Sequence, residues 1–534
     1  MSKIRHDPGK ERKFLTVALG IIRGVLEEEG VTDRSVLNTD AQRLHDFIKL
    51  VSKDFEISYP KKSNAPKGNF IVSTYDGSRK RTPAQVKLWK LTDNETDKDF
   101  DHVCGKIDME RFVTEFDGEL YVSIPYGRYY CEVSKGSEYC LIKDVVEIGP
   151  KAVNRKYHLK RFIDLSKYGW YAGDIHHHSI YSSPVYKGDD DVTESPHEVA
   201  NSMAAMGLRY GALSDHHNIL NHKKWMKETR SDFLPIVSKE ISTSNGHIIA
   251  LGAEKDVIFR IPDKDQRSDE YMRSEFKKIV NEIKENGGLA QINHPCDLSR
   301  SNSWNPSYYD MTGIFETIEI WNGSAPMIKG STNYKAYELW LNLLKEGIYR
   351  PATTGSDTHN IKADDYNDFY ILMQNIRKVM SVLKYPAYKN EIHVIDLILK
   401  KAVPILEKWA TTSLTSGCVR TYVHIKGKPT KDKVLDSLRK GETFLTNGPI
   451  LFYKDNRLTL MSARKLNYLR IYTPEGLYKE KKLNSKTALR KAGDNNFYDY
   501  SFDLKDPKLF SKEWFYITAA DDCTNQAFLN PVFN

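Results

Sequence analysis

Five short segments of this chain close apolar runs with clusters of histidine, aspartate and glutamate. They are Asp174-Ile175-His176-His177-His178-Ser179, Ser214-Asp215-His216-His217-Asn218, Glu240 with Gly246-His247, Asn293-His294-Pro295, and Gly355-Ser356-Asp357-Thr358-His359. The apolar runs read as strands, and each is followed by a helical pattern. Strands that alternate with helices can deliver their C-terminal residues to one shared mouth, as in a β/α barrel. Imidazoles and carboxylates gathered at such a mouth have the chemistry of metal ligands. The pattern points to a multinuclear metal site and to hydrolysis.

Strand parity sorts the candidates. Residues i and i+2 share a face, so His176 and His178 point together while His177 points away into packing. Asp357 and His359 repeat that geometry. Glu240 ends its run and is followed by His247 after a Ser/Asn/Gly turn, and Pro295 fixes a turn just past His294. Singly, each is an ordinary satisfied polar residue. Together they exceed what one ion can use. Asp174 and Asp215 suit supporting tasks beside the ligands. His217 follows His216 at a loop tip, open to substrate or to solvent. Arg300 and Arg420 are candidates for binding an anionic substrate, and each equally suits a structural or solvated role.

At 534 residues, the chain is long enough for about three or four domains. Mean hydropathy is −0.55, and the formal charge is +8 from 79 basic and 71 acidic residues. No basic run interleaves with aromatics, so a nucleic-acid partner is not expected. No apolar stretch approaches the roughly 18 residues of a membrane span, and Met1 to Gly30 lacks a signal-peptide core. Cys104, Cys131, Cys140, Cys296, Cys418 and Cys523 are scattered without a CxxC pair, which fits reduced thiols in a cytoplasmic protein. Cys131 and Cys140 flank a short turn. The expected partner is a small-molecule substrate, with an anionic one compatible with the charge. A homo-oligomer is left open.

Residues 1–55 read as helical, with Leu15, Ala18, Ile22 and Val25 on one face. Over residues 67–160, short strands separated by Gly turns suggest a small β-sandwich. Residues 165–450 alternate strand and helix, the signature of an α/β barrel. Residues 361–410 interrupt that rhythm with a helical insertion, which fits a lid or a dimer surface. Residues 451–534 form a β-rich C-terminal extension.

The five motifs, in their order, resemble those of the PHP (polymerase and histidinol phosphatase) superfamily of metal-dependent hydrolases, over about residues 165–450. The preceding sandwich, Arg420-Thr421-Tyr422-Val423, Gly441 to Pro449 and Leu529-Asn530-Pro531 are similar to the carbaryl-hydrolase-like branch. The resemblance implies a distorted seven-stranded barrel holding two or three divalent ions of zinc, manganese or iron. It places His176, His178, Glu240 and Asp357 on a first metal. Glu240 would bridge to a second, completed by His247 and His294. His216 and His359 would hold a third with an aspartate from the loop after His178. There the chain departs from the family, which has Ser-Asp-Gly after its first motif. Here Ser182-Ser183-Pro184 is followed by an extra stretch to Asp189-Asp190-Asp191, and Asp191 stands at the right distance before Pro196.

Two metals about 3.5–4 Å apart can bridge a water, lower its pKa and polarise a P–O or C=O oxygen. Glu240 is then the catalytic bridge, with Asp215 and His217 the candidate acids for the leaving group. The expected function is a metal-dependent hydrolase acting on a small phosphate ester. A carbamate, carboxylic ester or amide hydrolase of the carbaryl-hydrolase type is the alternative. A non-catalytic ligand-binding protein with a vestigial metal barrel is the third reading.

Overall fold

The computed structural model describes residues 8–55, 65–92, 95, 109–186, 188, 190, 192–259, 268–297, 303–323, 327–361, 375–383, 385–405 and 415–534, without the side chains of 8–14, 17, 381 and 485. It is a mixed α/β protein, and two of its sheets carry the motifs. One runs in the order Leu234–Val237, Tyr210–Leu213, Trp170–Asp174, Arg420–His424, Thr443–Thr446, Gln526–Phe533, Trp514–Asp521, Leu466–Thr473 and Gly476–Lys482. Its first three strands are parallel and the remaining pairings antiparallel. The other runs Glu240–Thr243, Gly246–Leu251, Leu289–Ile292, Thr317–Asn322 and Ala352–Gly355, with its last three strands parallel. Every residue of Tyr210–Leu213, Leu289–Ile292, Thr317–Asn322 and Ala352–Gly355 is buried. The polar side chains inside them are paired with one another, Thr317 and Thr353 both donating to Gln291 Oε1.

The helices between these strands begin where their caps place them. Ser195 and Glu198 form a capping box ahead of Pro196–Ala205. Ser268 caps Asp269–Glu285, which buries Met272, Phe276, Ile279 and Ile283 along one stripe. The seven strands expected to close a barrel are divided between the two sheets, and among the described residues no strand ladder closes a ring. Main-chain contacts of the motif segments join the sheets instead. His177 bridges Thr358 and His216 bridges Glu240, both in parallel sense. Across the seams the Asp357 amide donates to the His176 carbonyl (2.8 Å) and the Glu240 amide to that of Ser214 (3.1 Å), while within the first sheet the Ser214 amide donates to that of His177 (2.9 Å).

The C-terminal residues are core rather than appendage. Gln526–Phe533 pairs directly with Thr443–Thr446, so the extension lengthens the first motif sheet. A second sheet follows, ordered Ile450–Lys454, Arg457–Ser462, Asn495–Asp503 and Leu489–Ala492. Leu451, Leu458, Ile471 and Phe515 share one apolar cluster with Trp170, Ala172 and Met203.

Between residues 67 and 158 lie a three-stranded sheet (Glu119–Pro125, Lys67–Tyr75, Val153–His158) and a four-stranded sheet (Met109–Val113, Gln85–Lys90, Gly127–Ser134, Ile142–Ile148). Phe70, Val72, Val86, Leu88, Tyr129, Val133 and Tyr157 form their common core. Buried Glu132 of the latter sheet accepts from Arg464 (2.9 Å), tying it to the C-terminal strands.

Cys131, Cys140, Cys296 and Cys418 are free thiols. Cys523 is disulfide-bonded, which corrects the expectation of uniformly reduced cysteines. Cys104 lies outside the described residues. No described helix is long and apolar enough to cross a membrane.

Helices Pro8–Glu28 and Ala41–Asp54 pack on the described part of the insertion, Lys389–Leu397 and Ile398–Ala402. Leu15, Ala18, Ile22, Leu44, Phe47, Ile48 and Val51 bury against Val394, Ile395, Ile398 and Val403. Phe47 is fully buried and stacks on Tyr388 with ring centroids 5.4 Å apart. Phe47→Ala should therefore destabilise this helical unit by about 3–5 kcal/mol, read as a lowered urea midpoint by circular dichroism.

Candidate metal centre

The seam between the two sheets sets the site. Each main-chain bond across it fixes the direction of a side chain beside it, so the strand ends present their alternate residues to one volume. Gly355 has no side chain because a Cβ there would collide with His176 and the Glu319 carboxylate.

Glu240 stands at the centre. Its Oε2 lies 3.3 Å from His176 Nε2, 3.4 Å from His178 Nε2 and 3.5 Å from His216 Nδ1. Its Oε1 lies 3.2 Å from both His247 Nδ1 and His294 Nε2. Asp357 Oδ1 is 3.3 Å from His176 Nε2 and 3.1 Å from His178 Nε2. Asp190 Oδ2 is 3.0 Å from His216 Nε2 and 3.1 Å from His359 Nε2. Four groups have ligand atoms within 4.8 Å of one another: His178, Asp190, His216 and His359; His176, Glu240 and His294; His176, His178 and Asp357; His216, Glu240 and His247.

Hydrogen-bond accounting tests whether these residues fit metal ions. A ligating imidazole needs one nitrogen free of its proton, and the partner of the other nitrogen decides which. His176 Nδ1–H donates to Glu319 Oε1 (2.9 Å), leaving Nε2 toward Glu240 and Asp357. Ser182 Oγ spends its one proton on Asp215 Oδ1 (2.9 Å) and accepts from the His216 amide (3.1 Å). The His178 Nδ1–H, 3.0 Å away, must then donate to it, which leaves Nε2 toward Asp357. His359 Nδ1–H donates to the Asp357 carbonyl (2.9 Å) and turns Nε2 to Asp190. Three independent acceptors thus enforce the same tautomer, and the donor set fits divalent cations.

The carboxylates are also supported from behind. Asn293 Nδ2 donates to Glu240 Oε1 (2.7 Å) and Asn322 Nδ2 to Asp357 Oδ2 (3.0 Å). Glu319 also accepts the His294 amide (2.9 Å). Burial opposes the charge on Glu240, but His176, His216 and His247 outweigh it and hold its carboxyl well below the usual range. Burial likewise opposes the His176 imidazolium, and Glu319, Glu240 and Asp357 overcome it, raising that group well above an ordinary histidine. His294 and His359 are raised too, against burial, chiefly by Glu240 for the first and Asp357 for the second. Burial, with His359 and His216 adding to it, pushes His178 down to about 3.

The sequence-derived candidates fare differently. His176, His178, His216, Glu240, His247, His294, Asp357 and His359 all meet in this cluster. The carboxylate that reaches His216 and His359 is Asp190, one residue before the expected Asp191, which lies outside the described residues along with Arg300. Asp215 is fully buried and accepts from the Ser179 amide (2.6 Å), the Ser179 and Ser182 hydroxyls, and Asn221. Both oxygens are so engaged that it supports the loop, while burial pushes its carboxyl above the usual range. Arg420 opens the strand Arg420–His424. It is buried and donates to the Met206 carbonyl (2.8 Å), on the strand face it shares with Tyr422. His217 is exposed beside His216, with a left-handed φ of 63°. His177 packs away from the cluster, its Nδ1–H donating to the His178 carbonyl (2.7 Å). Asp174 accepts the Ser356 and Gly417 amides at 3.1 and 2.8 Å. The sequence pattern gives Glu319, Asn322 and Ser182 no role, yet each supports a ligand here. A glutamate inside a wholly buried strand was the available signal for the first.

No family model and no curated protein matches the chain. Among solved structures, a Bifidobacterium adolescentis chain described as a metal-dependent phosphoesterase aligns at 13% identity and a TM-score of 0.26, covering 38% of this chain and 96% of its own. An amidohydrolase from Chromobacterium violaceum, solved with bound sulfate and no metal, aligns at 17% identity and a TM-score of 0.25, covering 35% and 87% respectively.

Two outcomes test the geometry. Glu319→Gln should lower divalent-metal affinity roughly 10–100-fold, by calorimetric titration of the metal-free protein. Because His176, His294 and His359 have raised values, a bound cation must displace their protons. Affinity should therefore rise as pH rises and fall in acid, with proton release visible as a buffer-dependent binding enthalpy.

Proposed function

We propose that this chain is a metal-dependent hydrolase whose preferred substrate is a small phosphate ester. We assign it to the PHP type, in the carbaryl-hydrolase-like branch, with the motif seams completing a distorted barrel behind a small β-sandwich. The observation that carries this reading is the double use of Glu240, which turns Oε2 to His176 and His178 and Oε1 to His247 and His294. That is what a bridging carboxylate requires. His176, His178, Glu240 and Asp357 would hold one divalent ion, and Glu240, His247 and His294 a second. Asp190, His216 and His359 would hold a third. Mixed imidazole and carboxylate donors suit zinc, manganese or iron. Bound ions supply Lewis acidity and lower the pKa of a coordinated water toward neutral.

The protein's own groups do the rest. Glu240, held anionic by its imidazole neighbours, keeps negative charge at the centre and does not serve as a proton donor. Asn293 and Asn322 fix the two carboxylates, so the site needs little rearrangement as charge develops. With Asp215 enclosed, the leaving-group proton falls to His217, exposed beside His216. A vestigial barrel would have no need of so complete a donor set.

The reading is tested with 4-nitrophenyl phosphate and 4-nitrophenyl esters in Mn²⁺ or Zn²⁺. The parent should carry at least two equivalents of metal and turn over the phosphate faster. Preference for the ester would move the assignment to the carbamate and carboxylic ester class. Glu240→Gln should cut turnover by about three orders of magnitude with the far-ultraviolet circular dichroism unchanged. Inactivity of the metal-loaded parent on both substrates would sink the hydrolase reading.

A further inference from the structure

The segment that delivers Asp190 is the stretch in which this chain departs from the expected motif. Its described secondary structure is two short turns, Ile180–Ser182 and Pro184–Tyr186. Something must hold it, because a carboxylate on a loose loop spends little time facing its partners. Asn218, the last residue of the second motif, has no role so far. Its Nδ2 shares its two protons among the carbonyls of Tyr181 (3.0 Å), Tyr186 (3.3 Å) and His216 (3.0 Å), and its Oδ1 accepts from the Leu220 amide (3.0 Å). One amide group thus clamps both turns to the backbone of the histidine that Asp190 meets. On the other side, the Asp190 amide donates to the Ser182 carbonyl (3.1 Å), and the Gly188 amide to that of Ser183 (3.0 Å). Gly188 lies so close to the Ser182 carbonyl that a Cβ has no room there.

We infer that Asn218 is a positioning residue: it holds the turns before Asp190 so that Asp190 joins His216 and His359 as a third donor set for a divalent cation. The inference rests on the reading of the cluster as a metal centre. Asn218 turns its Oδ1, the atom that could ligate, to the Leu220 amide, and it works through Asp190.

The test is calorimetric titration of the metal-free protein with Mn²⁺, backed by elemental analysis after desalting. The parent should load three equivalents. Asn218→Ala, and independently Gly188→Ala, should each lose one equivalent or weaken it at least about tenfold. The other two sites should keep the parent's affinity, and the circular dichroism of the metal-free variants should be unchanged. Asp190→Asn should lose the same equivalent and Asp191→Asn should not. Because Asn218 acts through Asp190, the double variant should lose no more than either single one. Asn218→Ala that keeps all three equivalents, or weakens all three alike, overturns the positioning role. A parent that stops at two equivalents overturns the third donor set. None of these readouts involves turnover, so failure of the hydrolase reading is seen separately, in the nitrophenyl assays.

Discussion

A carboxylate buried to 1% exposure, as Glu240 is, cannot stay charged unless its surroundings replace the water it has lost. Here imidazoles face both oxygens and the Asn293 amide donates to one of them. Those partners come from strand ends of both motif sheets, so the charge is compensated only if the sheets meet in one register. The main-chain bonds that enforce the register belong to the same segments: Asp357 to His176 and Glu240 to Ser214. Seam and site are therefore one construction. Removing one partner leaves the others uncompensated as well, which is why such clusters are far costlier to break than their net stability implies.

The same coupling explains where the backbone is strained. His294 has φ 25° and Asp357 φ 49°, a region in which non-glycine residues cost about 1–3 kcal/mol each. Both are held by buried bonds, the His294 amide on Glu319 and the Asp357 amide on the His176 carbonyl. Glu319 thus does two things at once. It fixes the tautomer of His176, and it helps pin the strained turn that carries His294.

Much of this was legible in the sequence because strand parity and order are local properties. His176 and His178 on one face, His177 on the other, and Asp357 with His359 all follow from a two-residue period. The same rule, applied to Arg420, sets it on the face of Tyr422. Asp190 and Asp191 could not be told apart because an irregular loop has no period, and one residue of slip reverses which carboxylate faces inward. Glu319 stands inside its strand rather than at the end, where the ligand segments lie, so position gave it no mark. The pairing of Gln526–Phe533 with Thr443–Thr446 rests on long-range register, which no local pattern encodes.

The packing of the N-terminal helices on the insertion was hidden for the same reason, and it bears on the site. Gly20 and Gly24 lie one turn apart on helix Pro8–Glu28, where side chains at that spacing share a face. A Cβ on Gly24 would meet the Lys329 carbonyl, and one on Gly330 would meet that of Gly20, so the helix lies directly on this backbone. Ser331 then caps helix Thr332–Lys345. That helix brings up Asn333, which accepts the Asn322 amide at 2.9 Å and donates to the Asn322 carbonyl at 2.6 Å. Asn322 in turn donates to Asp357 Oδ2. A ligand is placed well when the residues that orient it are themselves locked by packing. Here the support behind Asp357 extends, contact by contact, to the first helix of the chain. The N-terminal helices thus stand at the far end of that chain of contacts, and Gly24 and Gly330 are the places where a single added methyl group would meet backbone.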